Sequence, residues 1–301
     1  MLLGMVSRLH TLPRRAVLCA ALLLPCLTTP AHAWGPQGHK LVAMVAMEHL
    51  TPTAKKNIKF LLGKETLADV ASWPDVYRPL ETQTGPWHYV DIPEGAGTYD
   101  RERDCPTQPN VKAGSPGDKW RDCVVDRILF FEGRIGDATL DPADRAIALK
   151  YLVHFVGDIH QPLHTTGVQK GGNGITVNVF GSDTCGKYPC NLHSVWDSGL
   201  ILHRQLNDKQ YLALLDHEFA STPPAATPDD PATWANEGNA LLPGLMLPQG
   251  GVVDQAYFDR EIPVVDRQLE VAGLRLAAVL NRTFTSAPVT FKPAAADSKQ
   301  F

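Results

Sequence analysis

Two histidine–aspartate pairs four residues apart, His154 with Asp158 and His193 with Asp197, constrain this chain more than any other feature. An α-helix brings residues i and i+4 onto one face a turn apart, so each pair predicts a helix that presents an imidazole beside a carboxylate. Between the pairs runs His160-Gln161-Pro162-Leu163-His164, where the proline ends the first helix and swings His164 to a new position. One such pair reads as a surface hydrogen bond. Two pairs with a further histidine between them read as a helical bundle that aims ligands at metal ions.

The rest of the sequence supports a mainly α fold. Apolar residues at three- and four-residue spacing predict helices over 41–50, 54–62, 120–134, 143–159, 194–205, 209–219 and 255–280. Thr51-Pro52 and Asp141-Pro142 each set a capping residue ahead of a proline at the first helical position. Only 175–180 alternates as a strand, after Gly171-Gly172, and Cys185 and Cys190 would close the return of its hairpin. Taken alone, Ala71 to Asp75 reads as a helix end with a capping aspartate, and Pro86 to Asp91 as an aromatic-rich core turn.

Residues 1–33 read as a cleavable secretory signal: Arg14 and Arg15 precede a short apolar run, and Ala31-His32-Ala33 supplies small residues at −3 and −1. No stretch is long and apolar enough for a permanent span, which needs about 20 residues. The chain divides into the signal, one domain over 34–285, and an Ala/Pro/Lys-rich tail over 286–301 that reads as disordered. Removing the signal leaves Cys105, Cys123, Cys185 and Cys190 in an oxidising compartment. Three pairings are possible. The two local ones, Cys105 with Cys123 and Cys185 with Cys190, are favoured because each closes a Gly/Pro-rich loop, the longer closure worth about 3 kcal/mol. Asn281-Arg282-Thr283 matches a glycosylation acceptor. A formal charge of −4 gives no basic footprint for gripping duplex DNA, so any attraction for phosphate must be local.

Trp34-Gly35 with His39, the Ala71–Asp75 run, Trp87-His88-Tyr89-Val90-Asp91, the stretch from His154 to His164, Gly171-Gly172-Asn173 and Asn191-Leu192-His193 with Trp196-Asp197 occur in order. Together they resemble the zinc-dependent, single-strand-specific nucleases of fungi, plants and bacteria, relatives of the bacterial zinc phospholipase C. The resemblance runs from Trp34 to about residue 284. It implies a single-domain helical bundle of the phospholipase C/nuclease type with one small β-hairpin, and three zinc ions per chain.

On that resemblance Asp75, His88 and His154 would hold the first zinc, His164, His193 and Asp197 the second, and Trp34, His39 and Asp158 the third. Trp34 would use its α-amine, which exists only after cleavage behind Ala33, and its carbonyl oxygen. Asp75 would also lean toward the third ion. Three protein residues per ion leave positions open for water and phosphate, as catalytic zinc requires. Three divalent ions against three aspartates leave the pocket at roughly +3, enough to attract phosphate and lower the pKa of water. His160 is left over and reads as a packing histidine.

The resemblance further implies cleavage of the P–O3′ bond of single-stranded DNA and RNA to leave 5′-phosphates, with 3′-nucleotides as further substrates. Asp75 and Arg78 would serve the chemistry, Arg78 by clamping a phosphate oxygen. Tyr89 would stack a base, with Asp91 and Asn173 at its edge. Gly174 departs from the polar residue common in relatives, which bears on base preference. The alternative within the fold is a zinc phospholipase C, and Tyr89, Asp91 and Asn173 favour the nuclease. A secreted or periplasmic monomer without a stable protein partner is expected.

Overall fold

A computed structural model of the chain describes residues 34–109, 119–220 and 230–285. The predicted signal over 1–33 and the tail over 286–301 lie outside the described residues. The helices in chain order are α1 (Pro36–Glu48), α2 (Pro52–Leu62), α3 (Leu67–Val70), α4 (Trp73–Tyr77), α5 (Arg101–Asp104), α6 (Val124–Gly136), α7 (Pro142–Ile159), α8 (Leu192–Ser194), α9 (Leu200–His203), α10 (Asp208–Phe219), α11 (Pro231–Leu245) and α12 (Gln255–Thr283). Tighter 3-10 turns cover Thr82–His88 and Pro162–Thr165, and a wide π turn over Val195–Gly199 joins α8 to α9. The architecture is mainly α, as the spacing predicts.

Local chemistry explains where the helices begin. The Thr51 hydroxyl accepts from the Ala54 N–H and the Asp141 carboxylate from the Ala143 N–H, each ahead of a proline that has no N–H and so needs no acceptor. The helix expected from residue 120 starts instead at Val124. Cys123 is held extended by its bond to Cys105, and the Asp122 N–H bonds to Pro106 O, so the helix cannot begin sooner. The helix expected over 194–205 is interrupted by the π turn.

Both predicted disulfides are present, Cys105–Cys123 and Cys185–Cys190. The expected strand at 175–180 is realised as β1 (Val177–Val179), but it pairs in parallel with β4 (Gly251–Val253) from just before α12. The small hairpin lies beyond it, where β2 (Thr184–Cys185) meets β3 (Tyr188–Pro189) inside the second disulfide. After Cys190 the chain does run back along 175–177, with Val177 N–H on Cys190 O at 3.1 Å and Leu192 N–H on Ile175 O at 3.0 Å. Asn281 is already engaged: its side chain donates to His49 O at 3.0 Å and accepts from Thr51 N–H at 2.8 Å, joining α12 to the α1–α2 corner.

Helix α7 is the centre of the bundle. Every residue from Tyr151 to Ile159 is buried, so its C-terminal half is enclosed on all sides, and α1, α2, α4, α6 and α12 pack around it. Leu149, Leu152, Phe155, Val156 and Ile159 carry this contact, each worth about 1.5–3 kcal/mol on transfer from water. Polar residues in so apolar a helix need partners of their own. His154 and Asp158 are such residues.

Candidate metal centre

Seven structural segments bring the predicted ligands together. Helix α1 supplies His39, with Trp34 just ahead of it; α4 supplies Asp75, and the turn at 82–88 ends on His88. Helix α7 supplies His154 and Asp158, the turn at 162–165 His164, α8 His193, and the π turn Asp197. All are buried, and none of these nine is more than 6% exposed. Buried charge survives only when it is paired or binds a cation.

Eight of the nine fall into three clusters. Asp75, His88 and His154 converge, as do His164, His193 and Asp197, while His39 and Asp158 meet with His154 shared between neighbours. Asp158 is the hub: its carboxylate lies 3.2 Å from His39 Nε2, 3.0 Å from His88 Nδ1 and 3.4 Å from His154 Nε2. Asp75 stands further off, 3.7 Å from His154 Nε2 and 3.9 Å from His88 Nδ1. In the other set His164 Nε2 and His193 Nε2 approach to 3.2 Å, with Asp197 3.4 Å from His193. Trp34 is fully buried beside this group, and Gly35 N–H bonds to the Asp197 carbonyl at 2.6 Å.

The donor set suits zinc. Bonds of about 2.0–2.1 Å in a tetrahedron separate two nitrogens by about 3.3 Å, and the His88–His154 and His164–His193 pairs stand at 3.1 and 3.2 Å. Three rings are turned by backbone carbonyls: Nδ1 of His154 bonds to Ala71 O at 2.8 Å, of His164 to His88 O at 2.7 Å, and of His193 to Gly171 O at 2.5 Å. A donor so held at Nδ1 leaves Nε2 as a lone-pair donor to a cation. His39 Nε2 and Asp158 Oδ1 are buried without a hydrogen bond, which is costly unless a cation meets them.

Beside the cluster lie the residues expected to meet substrate. Arg78, half-buried one turn after Asp75, acts electrostatically on His88, Tyr89, Asp158 and Asp197 together. Tyr89 is 40% exposed immediately after His88, with its backbone fixed by Val124 N–H. Asp91 is exposed on the same segment and rests against Gly167. Asn173 follows four residues with positive φ, Gln169 to Gly172, and its amide donates to Lys170 O at 2.9 Å. A Cβ on Gly171 would fall 2.6 Å from Leu163 O, so only glycine fits where that residue offers its carbonyl to His193.

The family model described as S1/P1 Nuclease matches residues 34–285. The chain belongs to the S1/P1 nuclease family. Nuclease PA3 of a Penicillium species and Nuclease P1 of Penicillium citrinum are each 33% identical to it, over 82% of this chain and 97% of their own. Endonuclease 2 of Arabidopsis thaliana is 30% identical over 84% of this chain and 91% of its own. The matched span begins at Trp34 and so takes in all nine converging residues.

Burial governs the charges here. It pushes Asp158 and Asp197 well above the usual carboxylate range and His39 and His88 well below the usual imidazole range. His164 is taken down to about 3, by burial and then by His193 beside it. Neutral imidazole is the form that binds a metal, and the buried carboxylates would give up their protons when a cation enters. His160, as expected, turns elsewhere: its Nδ1 donates to Val156 O at 2.7 Å, its Nε2 accepts from Arg275 at 2.9 Å, and its ring packs on Trp234.

Sequence reasoning assigned no role to two residues of this family's motif. Gly157 lets α1 approach α7: a Cβ there would fall 2.7 Å from His39 Nδ1. Gln161 is fully buried and donates to the Asp197 carboxylate. Both stand next to ligand candidates in sequence, but a glycine or glutamine there carries no chemical signal until the fold shows what it faces.

Proposed function

We propose that this protein is an exported zinc-dependent nuclease that cleaves the P–O3′ bond of single-stranded DNA and RNA to leave 5′-phosphates, and that removes phosphate from 3′-nucleotides. Membership of a nuclease family and the convergence of nine buried imidazole, carboxylate and tryptophan residues support it. The convergence of imidazole nitrogens at the zinc edge length is the observation that carries it. Asp75, His88 and His154, then His164, His193 and Asp197, then Trp34, His39 and Asp158 would hold three zinc ions. Trp34 would act after cleavage behind Ala33, in the periplasm or outside the cell.

Bound zinc supplies Lewis-acid charge for phosphoryl oxygens and lowers the pKa of water toward about 7. The chain's own residues supply the rest. Asp75, whose Oδ1 faces the same space as His88 and His154, would orient the attacking water. Arg78 meets two phosphate oxygens with its planar fork, a geometry lysine lacks. Tyr89 stacks a base while Asp91 and Asn173 bond to its edge. A base must leave its duplex to be stacked so, hence the preference for single strands.

The test compares single-stranded RNA, single-stranded DNA, duplex DNA and phosphatidylcholine as substrates for the zinc-loaded protein. Single strands should be hydrolysed well ahead of duplex, and phosphatidylcholine left intact. Hydrolysis of the lipid in preference to nucleic acid would replace the nuclease reading with a phospholipase.

A further inference from the structure

Gln161 is completely buried at the junction of two ligand-bearing segments. Its backbone closes the end of α7, with its N–H on Asp158 O at 3.0 Å, and its own carbonyl accepts from His164 N–H at 2.9 Å. The side chain is fixed at both ends. Oε1 accepts from Leu163 N–H at 2.6 Å, capping the turn that carries His164, and Nε2 donates to Asp197 Oδ1 at 2.7 Å. Since a backbone N–H can only donate, the amide cannot be flipped: the oxygen must face Leu163 and the nitrogen Asp197.

That orientation has a consequence for the carboxylate. Oδ1 of Asp197 is occupied by the amide, so Oδ2, 3.4 Å from His193 Nε2, is the oxygen turned toward the imidazoles. His164 comes from the turn that Gln161 caps, and Asp197 from the π turn that it reaches across thirty-six positions. One side chain thus joins the two segments that make the His164–His193–Asp197 set. Its side-chain hydrogen bonds go to Leu163 and Asp197, not to His39, Asp75 or His88.

We infer that Gln161 is a positioning residue for one metal ion only: by donating to Asp197 Oδ1 it holds Asp197 to a single-oxygen contact and sets the affinity of the His164–His193–Asp197 site, leaving the other two sites alone. This rests on the zinc reading above. Outer partners of metal ligands typically change affinity by about 10–100-fold when removed. The effect should therefore be confined to one ion and be larger than any change in the rest.

The experiment counts zinc per chain by elemental analysis as free zinc is lowered with graded chelator, for the wild type, Gln161→Ala and Gln161→Glu. Gln161→Glu keeps an oxygen for Leu163 N–H and replaces the donor to Asp197 with a second carboxylate oxygen, so it separates positioning from capping. Both variants should release one zinc at about 10–100-fold higher free zinc than the wild type, with the other two releases unmoved. The inference is overturned if both release all ions as the wild type does, if all three loosen in parallel or the variants fail to fold, or if Gln161→Ala loosens one ion and Gln161→Glu none. A wild type that retains no zinc would instead sink the zinc reading itself.

Discussion

Replacing Gly157 by alanine sets two known effects against each other. In an ordinary helix interior the change gains up to about 1 kcal/mol, because glycine has more backbone freedom to lose. Here the new Cβ would stand 2.7 Å from His39 Nδ1, 3.1 Å from its Cε1 and 3.7 Å from Trp34. Comfortable contact is about 3.5–4.0 Å, so the imidazole must retreat by roughly 0.8 Å or α1 must lift from α7. Overpacking of this kind costs about 1–3 kcal/mol, which offsets the propensity gain and leaves metal-free stability nearly level or modestly reduced.

The metal-loaded protein should respond far more. A zinc ligand keeps its place to about 0.2 Å, several times less than the forced shift. A 10–100-fold loss of affinity at the Trp34–His39–Asp158 site removes about 1.4–2.8 kcal/mol of zinc-linked stability. For a domain of this size that is a melting temperature increment smaller by about 3–11 °C. Thermal unfolding of Gly157→Ala with chelator and with buffered zinc reads both quantities. Retention of the full zinc-induced increment, together with unaltered nucleolytic turnover, would refute the packing argument.

Other expectations concern charge and processing. Burial, then Asp216 and Glu48, pushes the Glu270 carboxyl up to about 7, above its unfolded value of 4.5. Folding therefore favours the protonated form, and stability is lost as pH rises from the unfolded toward the folded value. Gln at position 270 should raise the melting temperature in chelator at pH 8 and leave it unchanged at pH 4; an equal gain at both would refute the assignment. Arg78→Ala removes a charge-assisted contact worth about 1.5–3 kcal/mol, so turnover should fall about 10- to 150-fold with zinc content unchanged; unaltered turnover would exclude Arg78 from the phosphate. A mature protein with one residue added before Trp34 should hold one zinc fewer, read by elemental analysis.

Much of the site was legible in the sequence because imidazole and carboxylate at helical spacing are informative in themselves. His154 with Asp158 announces its helix and face, His193 with Asp197 announces a helical segment but not the π turn that interrupts it, and Pro162 announces the turn that redirects His164. The parts that stayed hidden depend on distant neighbours. Helix α11 carries glycines and Pro243 within Pro231–Leu245, which weakens any periodic reading. It is held instead by the turn at 162–165, where Asn239 donates to Thr165 O. Strand β1 showed its alternation but not its partner, since Val177–Val179 pairs with residues more than seventy positions away. Gln161 and Gly157 looked like punctuation between ligands, and only packing reveals one as an anchor and the other as a clearance.

On the proposed function, nine buried residues from Trp34 to Asp197 hold three zinc ions that drive phosphodiester cleavage. Zinc per chain, measured on protein that begins at Trp34 and set beside hydrolysis of single-stranded RNA before and after chelation, tests it most directly. Three zincs per chain are expected, with activity abolished by the chelator and restored by zinc. Fewer than three zincs in fully active protein, or cleavage that survives removal of the metal, would contradict it.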